Sequence, residues 1–314
     1  MTSRLVLAMS LLCLWSAPAG AQDRAVAVTF DDLPYQAAEA VLCDPAQAMA
    51  LTADFVAMLR PLDTRAAVFV NEGKVCEAQR AELLPALLNV WLEAGLDMGN
   101  HTFSHINIHR NTVGAYLADV DDGAPVTRSV LEARGRPLVF FRHPYLFTGE
   151  TPEKKAAIAA GLAERGYTIA PVTIDNNDWM FAAVYRQAEG SGDAALKVRI
   201  GDAYVAHMTA VLDHWEPYSA ELTGGREPAQ VLLLHANSLN RDWYPQIHAL
   251  YLARGYRFVT LGEALADPVY AHGDDYVRAN GVSWLHRWTF TDGRPIRWEP
   301  DPPAWIVAAY EAVN

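Results

Sequence analysis

Seven short apolar runs recur along the chain, most of them separated by sequence of helical period. The runs are VAVTF (26–30), AAVFV (66–70), LDMGN (96–100), LVFF (138–141), YTIAPV (167–172), VLLLH (231–235) and YRFVTL (256–261). Helix-period stretches cover 45–59, 80–94, 112–133, 152–165 and 195–212, with Gly95, Gly135, Gly166 and Gly255 at or near helix ends. Strand and helix in alternation mean βαβ units, because each helix returns the chain to the starting edge of the sheet. About seven such units predict an α/β fold: a distorted, incomplete (β/α)7–8 barrel of TIM type with an extended C-terminal segment.

That fold gives the polar residues a pattern. Asp31 and Asp32, Asn100 and His101, Arg142, Asp175 and His235 each follow the carboxyl end of a different run. In a parallel barrel these ends meet at one face, where active sites are built. Residues far apart in sequence are therefore expected to converge.

The N-terminus reads as a separate unit. Arg4 is the only charge before an apolar stretch from Leu5 to Trp15, and Ala19 and Ala21 form an A-x-A cleavage site. This is the pattern of a secretory signal peptide, residues 1–21, which implies a periplasmic or secreted protein. The apolar stretch is too short to span a bilayer, and no other stretch qualifies. Cys13 leaves with the leader, so Cys43 and Cys76 are expected to form one disulfide in an oxidising compartment. The barrel is expected over residues 22–266, with 267–314 as an extension packed on it. A formal net charge of −12 makes the chain a poor partner for nucleic acid or anionic membrane and a neutral substrate easier to accept.

HTFSH places His101 and His105 four residues apart, on one face if the segment is helical. Two imidazoles so spaced are a common grip on a transition metal, and two unrelated loop histidines are the bland alternative. His109 extends the stripe, but on a helix it would stand roughly 12 Å from His101, too far for one ion. One of the two aspartates at the first strand end supplies a third ligand, leaving the other free to act as a base.

With these residues in view, TFDD (29–32), HTFSH (101–105), RHPY (142–145), DNNDW (175–179) and LLH (233–235) resemble the five ordered motifs of the polysaccharide deacetylases. These are the NodB-homology proteins, or carbohydrate esterase family 4. The resemblance implies that Asp32, His101 and His105 bind a divalent metal, usually zinc, with cobalt and nickel suiting the same ligands. It implies Asp31 as the base, held by Arg142, and His235 as the acid, with Asp175 hydrogen-bonded to it. Tyr145 would offer its backbone N–H to the oxyanion, and Leu233 and Trp179 would wall the acetyl methyl. The implied activity is metal-dependent removal of N-acetyl groups from a chitin-like or other N-acetylglucosamine-containing glycan. Two other readings stand beside it. One is an O-acetyl esterase on a xylan-type glycan or a small-amide hydrolase, and the other is a non-catalytic carbohydrate-binding relative.

Outside the motifs, Phe181 to Gly225 lengthens one connection and the tail from Asp267 adds clustered tryptophans. Such aromatics either stack on sugars or pin the tail to the barrel. His207, His214, His248, His272 and His286 read as structural.

Overall fold

The computed structural model describes residues 24–313, so the expected leader lies outside the described residues. Its seven strands are β1 (Arg24–Leu33), β2 (Ala67–Val70), β3 (Asp97–Asn100), β4 (Phe140–Phe141), β5 (Thr168–Ile169), β6 (Gln230–His235) and β7 (Tyr256–Phe258). They pair in the order β5-β4-β3-β2-β1-β6, with β7 on the first residues of β1, and every pairing is parallel. Just beyond β5, Ile174 bridges Leu232 of β6, so the sheet curls almost back on itself. The result is the incomplete, distorted barrel that the alternation predicts.

Side-chain alternation sorts each strand into two faces. From β1, β2 and β6, residues Ala25, Ala27, Ala67, Phe69 and Val231 join a small cluster inside the barrel. Val26, Val28, Phe30, Val68 and Leu232 face the helices in the larger core. Four alanines (Ala25, Ala27, Ala67 and Ala170) keep the interior narrow. Following the inner face of β1 past Thr29 leads to Asp31, whose register partner on β6 is His235.

Two sequence expectations change. The stretch 112–133 is two helices, Val113–Asp122 and Pro125–Glu132. Pro125 has no N–H for a continuous helix and sits where its fixed φ starts a new one. The stretch from 195 grows into Ala194–Leu222, preceded by a helix at Asp178–Ser191. The long connection before β6 is therefore a helical pair rather than loop.

Cys43 and Cys76 are bridged, with Cα atoms 5.3 Å apart. The tail folds onto the barrel through two helices. Helix Trp284–Thr291 is tied down by its cap: Ser283 Oγ donates to Thr173 O at 2.7 Å and Trp284 N–H to Val172 O at 2.7 Å. Helix Ala304–Glu311 packs on Asp178–Ser191. No described helix is long and apolar enough to cross a membrane.

Candidate active site

The strand ends open into a cavity of about 620 Å³ lined by Asp31, Asp32, His101, His105, Tyr145, Asp175, Trp179, Leu233 and His235, among others. Every expected site residue except the buried Arg142 borders it.

Asp32, His101 and His105 each present one ligand atom, all within 4.8 Å of one another. The segment carrying the histidines is not helical. Thr102 and His105 have positive φ, and the chain turns so that the two imidazole centroids lie 4.9 Å apart. The spacing found the pair, and a folded loop rather than a helix brings it together. His109 is elsewhere, stacked on Phe147 at 4.1 Å. Asn100 is structural. Its side chain accepts from Thr102 N–H at 2.7 Å and donates to Val120 O at 2.8 Å, pinning the loop's start.

His101 Nδ1 lies 2.8 Å from Arg142 O, a bond that fixes the proton on Nδ1 and leaves Nε2 bare toward Asp32. Burial pushes His101 well below the ordinary histidine range, so it stays neutral, as a ligand must. Asp32 is also pushed up by burial, but the charges of Lys74, His105, His235 and His101 outweigh this and hold it well below the usual carboxylate range. Its Oδ1 is buried and accepts no hydrogen bond, although Lys74 Nζ stands 3.1 Å away. An ionised carboxylate oxygen without a hydrogen bond, 3.9 Å from the bare His101 Nε2 and 3.6 Å from His105 Nε2, fits a divalent cation.

The neighbouring Asp31 is treated differently. Arg142, fully buried, bonds both its carboxylate oxygens through Nη1 at 3.2 Å. The guanidinium is itself fixed by Ala170 O at 2.8 Å and Thr29 Oγ1 at 3.1 Å. Burial raises Asp31 to about 6 against the pull of Arg142, so near neutral pH it can both hold and accept a proton.

His235 corrects one expectation. Its partner is Asp178, not Asp175: Asp178 Oδ1 lies 2.7 Å from His235 Nδ1, and Oδ2 accepts the His235 backbone N–H at 2.9 Å. Asp175 instead accepts from Asn176 N–H at 2.8 Å, in the turn that Trp215 Nε1 fastens through Asp175 O. Both aspartates occur in DNNDW, and the left-handed Asn177 turns the chain so that Asp178 points back at β6. Burial alone would lower the His235 imidazole. Asp178, by charge and hydrogen bond, with Asp32 and Asp31 behind it, takes it up to about 9.

Tyr145 has φ +57° and Leu146 φ +55°, a strained pair for non-glycine residues. The next two amides turn inward, Leu146 N–H to His143 O and Phe147 N–H to Pro144 O. Tyr145 N–H makes no hydrogen bond among the described residues, which leaves it available to an oxyanion. Six of the eight described non-glycine residues with positive φ (Asp32, Thr102, His105, Tyr145, Leu146 and Asn177) lie at this face.

Leu233 and Trp179 border the cavity as expected, and Trp179 meets Tyr310 edge-on at 5.0 Å. The tail residues Asn280, Gly281 and Tyr310 also line the cavity, and Lys74 and Asp178 act on it through Asp32 and His235; the sequence motifs assigned none of them a catalytic role. Lys74 follows β2 closely and carried a strand-end signal. The tail residues carried none.

The polysaccharide deacetylase family model matches residues 19–169. That segment is similar to the polysaccharide deacetylases. Among solved structures, a chitin deacetylase from the fungal pathogen Colletotrichum lindemuthianum superposes with a TM-score of 0.53 at 19% identity, over 81% of this chain and 94% of its own. A family 4 carbohydrate esterase from Streptomyces lividans, in complex with acetate, gives 0.49 at 20% identity, over 78% and 97%. A pseudoenzyme of the same family from Bacillus anthracis gives 0.48 at 13%, over 77% and 66%. At 19% identity the likeness to the chitin deacetylase is one of fold. No curated protein matches the chain. A shared fold does not fix an activity, which lies in the residues of the cavity.

Proposed function

We propose that this chain is an exported, metal-dependent N-deacetylase acting on an N-acetylglucosamine-containing glycan. The observation that carries the reading is the pairing of Asp31 with His235. They are register partners on β1 and β6, they border the same cavity, and opposite environments tune them. Asp31 is held by a guanidinium and His235 by a carboxylate. A non-catalytic binding relative has no need of two titratable groups poised in this way beside an Asp–His–His trio.

Asp32, His101 and His105 would hold the cation. When bound, it supplies Lewis-acid polarisation of the acetyl carbonyl and acidifies water for attack. Asp31 takes the proton of the attacking water, with Arg142 keeping its carboxylate aimed. Tyr145 N–H meets the oxygen on which charge develops. His235, kept protonated by Asp178, delivers its proton to the departing nitrogen, a poor leaving group that needs one. Leu233 and Trp179 provide apolar surface for the methyl group. An ester leaves without that proton more readily than an amide, so the tuned His235 favours the N-acetyl reading over the O-acetyl one.

The test is acetate release from chito-oligosaccharides and from acetylated xylan, with and without a chelator. Chelator-sensitive release from the first and little from the second is expected. Preference for the xylan would replace the N-acetyl reading, and release that survives complete metal removal would overturn the metal-dependent one.

A further inference from the structure

We propose that the C-terminal tail is a working part of the site, with Arg287 and Gly281 as positioning residues for the Tyr145–Leu146 turn. The proposal rests on the deacetylase reading and goes beyond the matched segment, which ends at residue 169.

Tyr145 and Leu146 line the cavity at the strand ends, and the flanking His143 and Thr148 border a second cavity of about 560 Å³ together with Trp284 and Trp288. A backbone segment with two consecutive left-handed residues is strained and needs outside restraint to persist. The tail supplies it at two adjacent carbonyls. Arg287, 1% exposed, donates from Nη2 to Leu146 O at 2.6 Å and from Nη1 to Thr148 Oγ1 at 2.9 Å. Its guanidinium lies over the Trp284 ring, 4.5 Å from the centroid, and Nη1 reaches Asp274 Oδ2 at 3.4 Å, so the fork cannot swing away freely.

Gly281 backs the other carbonyl. A Cβ built there would lie 1.7 Å from Tyr145 O. The φ of Gly281 is not in the left-handed range, so its backbone would accept a side chain and only the closeness of the turn forbids one. Gly281 thus backs the peptide that follows Tyr145 and Arg287 holds the one that follows Leu146, so the tail restrains the two peptides directly after the Tyr145 N–H. A misplacement of about 1 Å at such a donor can cost roughly 100-fold in rate.

Arg287→Gln, Arg287→Lys and Gly281→Ala in the full chain test the idea by two independent readouts. The first is kcat and KM for acetate release, with metal stoichiometry measured alongside. Arg287→Gln and Gly281→Ala should each lower kcat about tenfold or more, with KM and bound metal little changed, and Arg287→Lys should recover part of the loss. The second is amide hydrogen exchange, which needs no substrate: segment 143–148 should exchange faster in both variants while 101–105 stays as in the parent. Wild-type kcat and exchange in folded Arg287→Gln and Gly281→Ala would overturn the proposal. So would parallel loss of metal and of protection throughout the barrel, because that marks a general structural role. If Arg287→Gln fails to fold, Gly281→Ala decides alone. If the parent protein releases no acetate from any glycan, the deacetylase reading falls and the exchange comparison still tests the clamp.

Discussion

Asp178 grips His235 at both ends of its carboxylate, one oxygen on the imidazole Nδ1 at 2.7 Å and the other on the backbone N–H at 2.9 Å. Asn240 Nδ2 adds a bond to Oδ2 at 2.7 Å, so the carboxylate cannot turn away. The grip fixes which nitrogen faces the cavity, Nε2, and sets its charge.

The alkaline limb of the pH–rate profile should report this pair. A histidine raised to about 9 is protonated below that pH and loses its proton as pH rises through it. A bound cation offsets the pull of Asp31 and Asp32, so the limb of the loaded enzyme should fall somewhat below 9. Asp178→Asn removes the main raising influence and leaves burial, which lowers the imidazole, so the limb should move to lower pH. Asp175→Asn should move it much less. A larger shift in the Asp175 variant would return the partner role to Asp175.

Much of the barrel was legible because period-2 and period-3.6 patterns are local. The face on which Asp31, His101, Arg142 and His235 meet followed from strand order alone. Two kinds of information were not local. DNNDW offers two aspartates, and only the left-handed Asn177 decides that Asp178 rather than Asp175 meets β6. The contribution of Gly281 and Arg287 depends on a tail docking far from its own sequence neighbourhood, which no pattern within the tail records. Loop backbone strain was equally hidden, since Tyr145 and Leu146 are not residues that advertise positive φ.

Asp31 and Asp32 should separate cleanly in mutants despite being neighbours. Asp32→Asn should lose most of the bound metal, because it removes the only carboxylate of the trio. Asp31→Asn should retain metal and lose at least about 100-fold in rate, since it removes the base while Arg142 keeps its other partners. Elemental analysis beside the rates checks both. Equal metal loss in the two variants would show that the division of labour is wrong.

The Cys43–Cys76 bridge closes a loop with a sequence separation of 33. Chain-entropy arguments give such a cross-link about 3–4 kcal/mol, an upper figure where the reduced chain retains structure. The double variant Cys43→Ala, Cys76→Ala should therefore unfold at lower urea with its metal stoichiometry intact. In the parent protein without residues 1–21, denatured without reductant, no free thiol should titrate. Two free thiols would contradict the bridge.

Lys74 should tune the cation site by charge. Its Nζ lies 3.1 Å from Asp32 Oδ1 and donates to Asp32 O at 3.0 Å, so an ammonium borders the position a divalent ion would take. Two unit charges about 4 Å apart interact by roughly 4 kcal/mol at an effective dielectric near 20, a divalent ion doubles the figure, and here the sign is repulsive. The flexible lysine stem can swing outward and relieve most of this. Lys74→Met should therefore bind zinc more tightly by about tenfold rather than by the full Coulomb figure. Competition against a chelator of known affinity measures this without any turnover. Unchanged affinity would mean that Lys74 leaves Asp32 whenever metal enters. Weaker affinity would mean that the ammonium orients the Asp32 carboxylate for the ion, and the repulsive account would have to be abandoned.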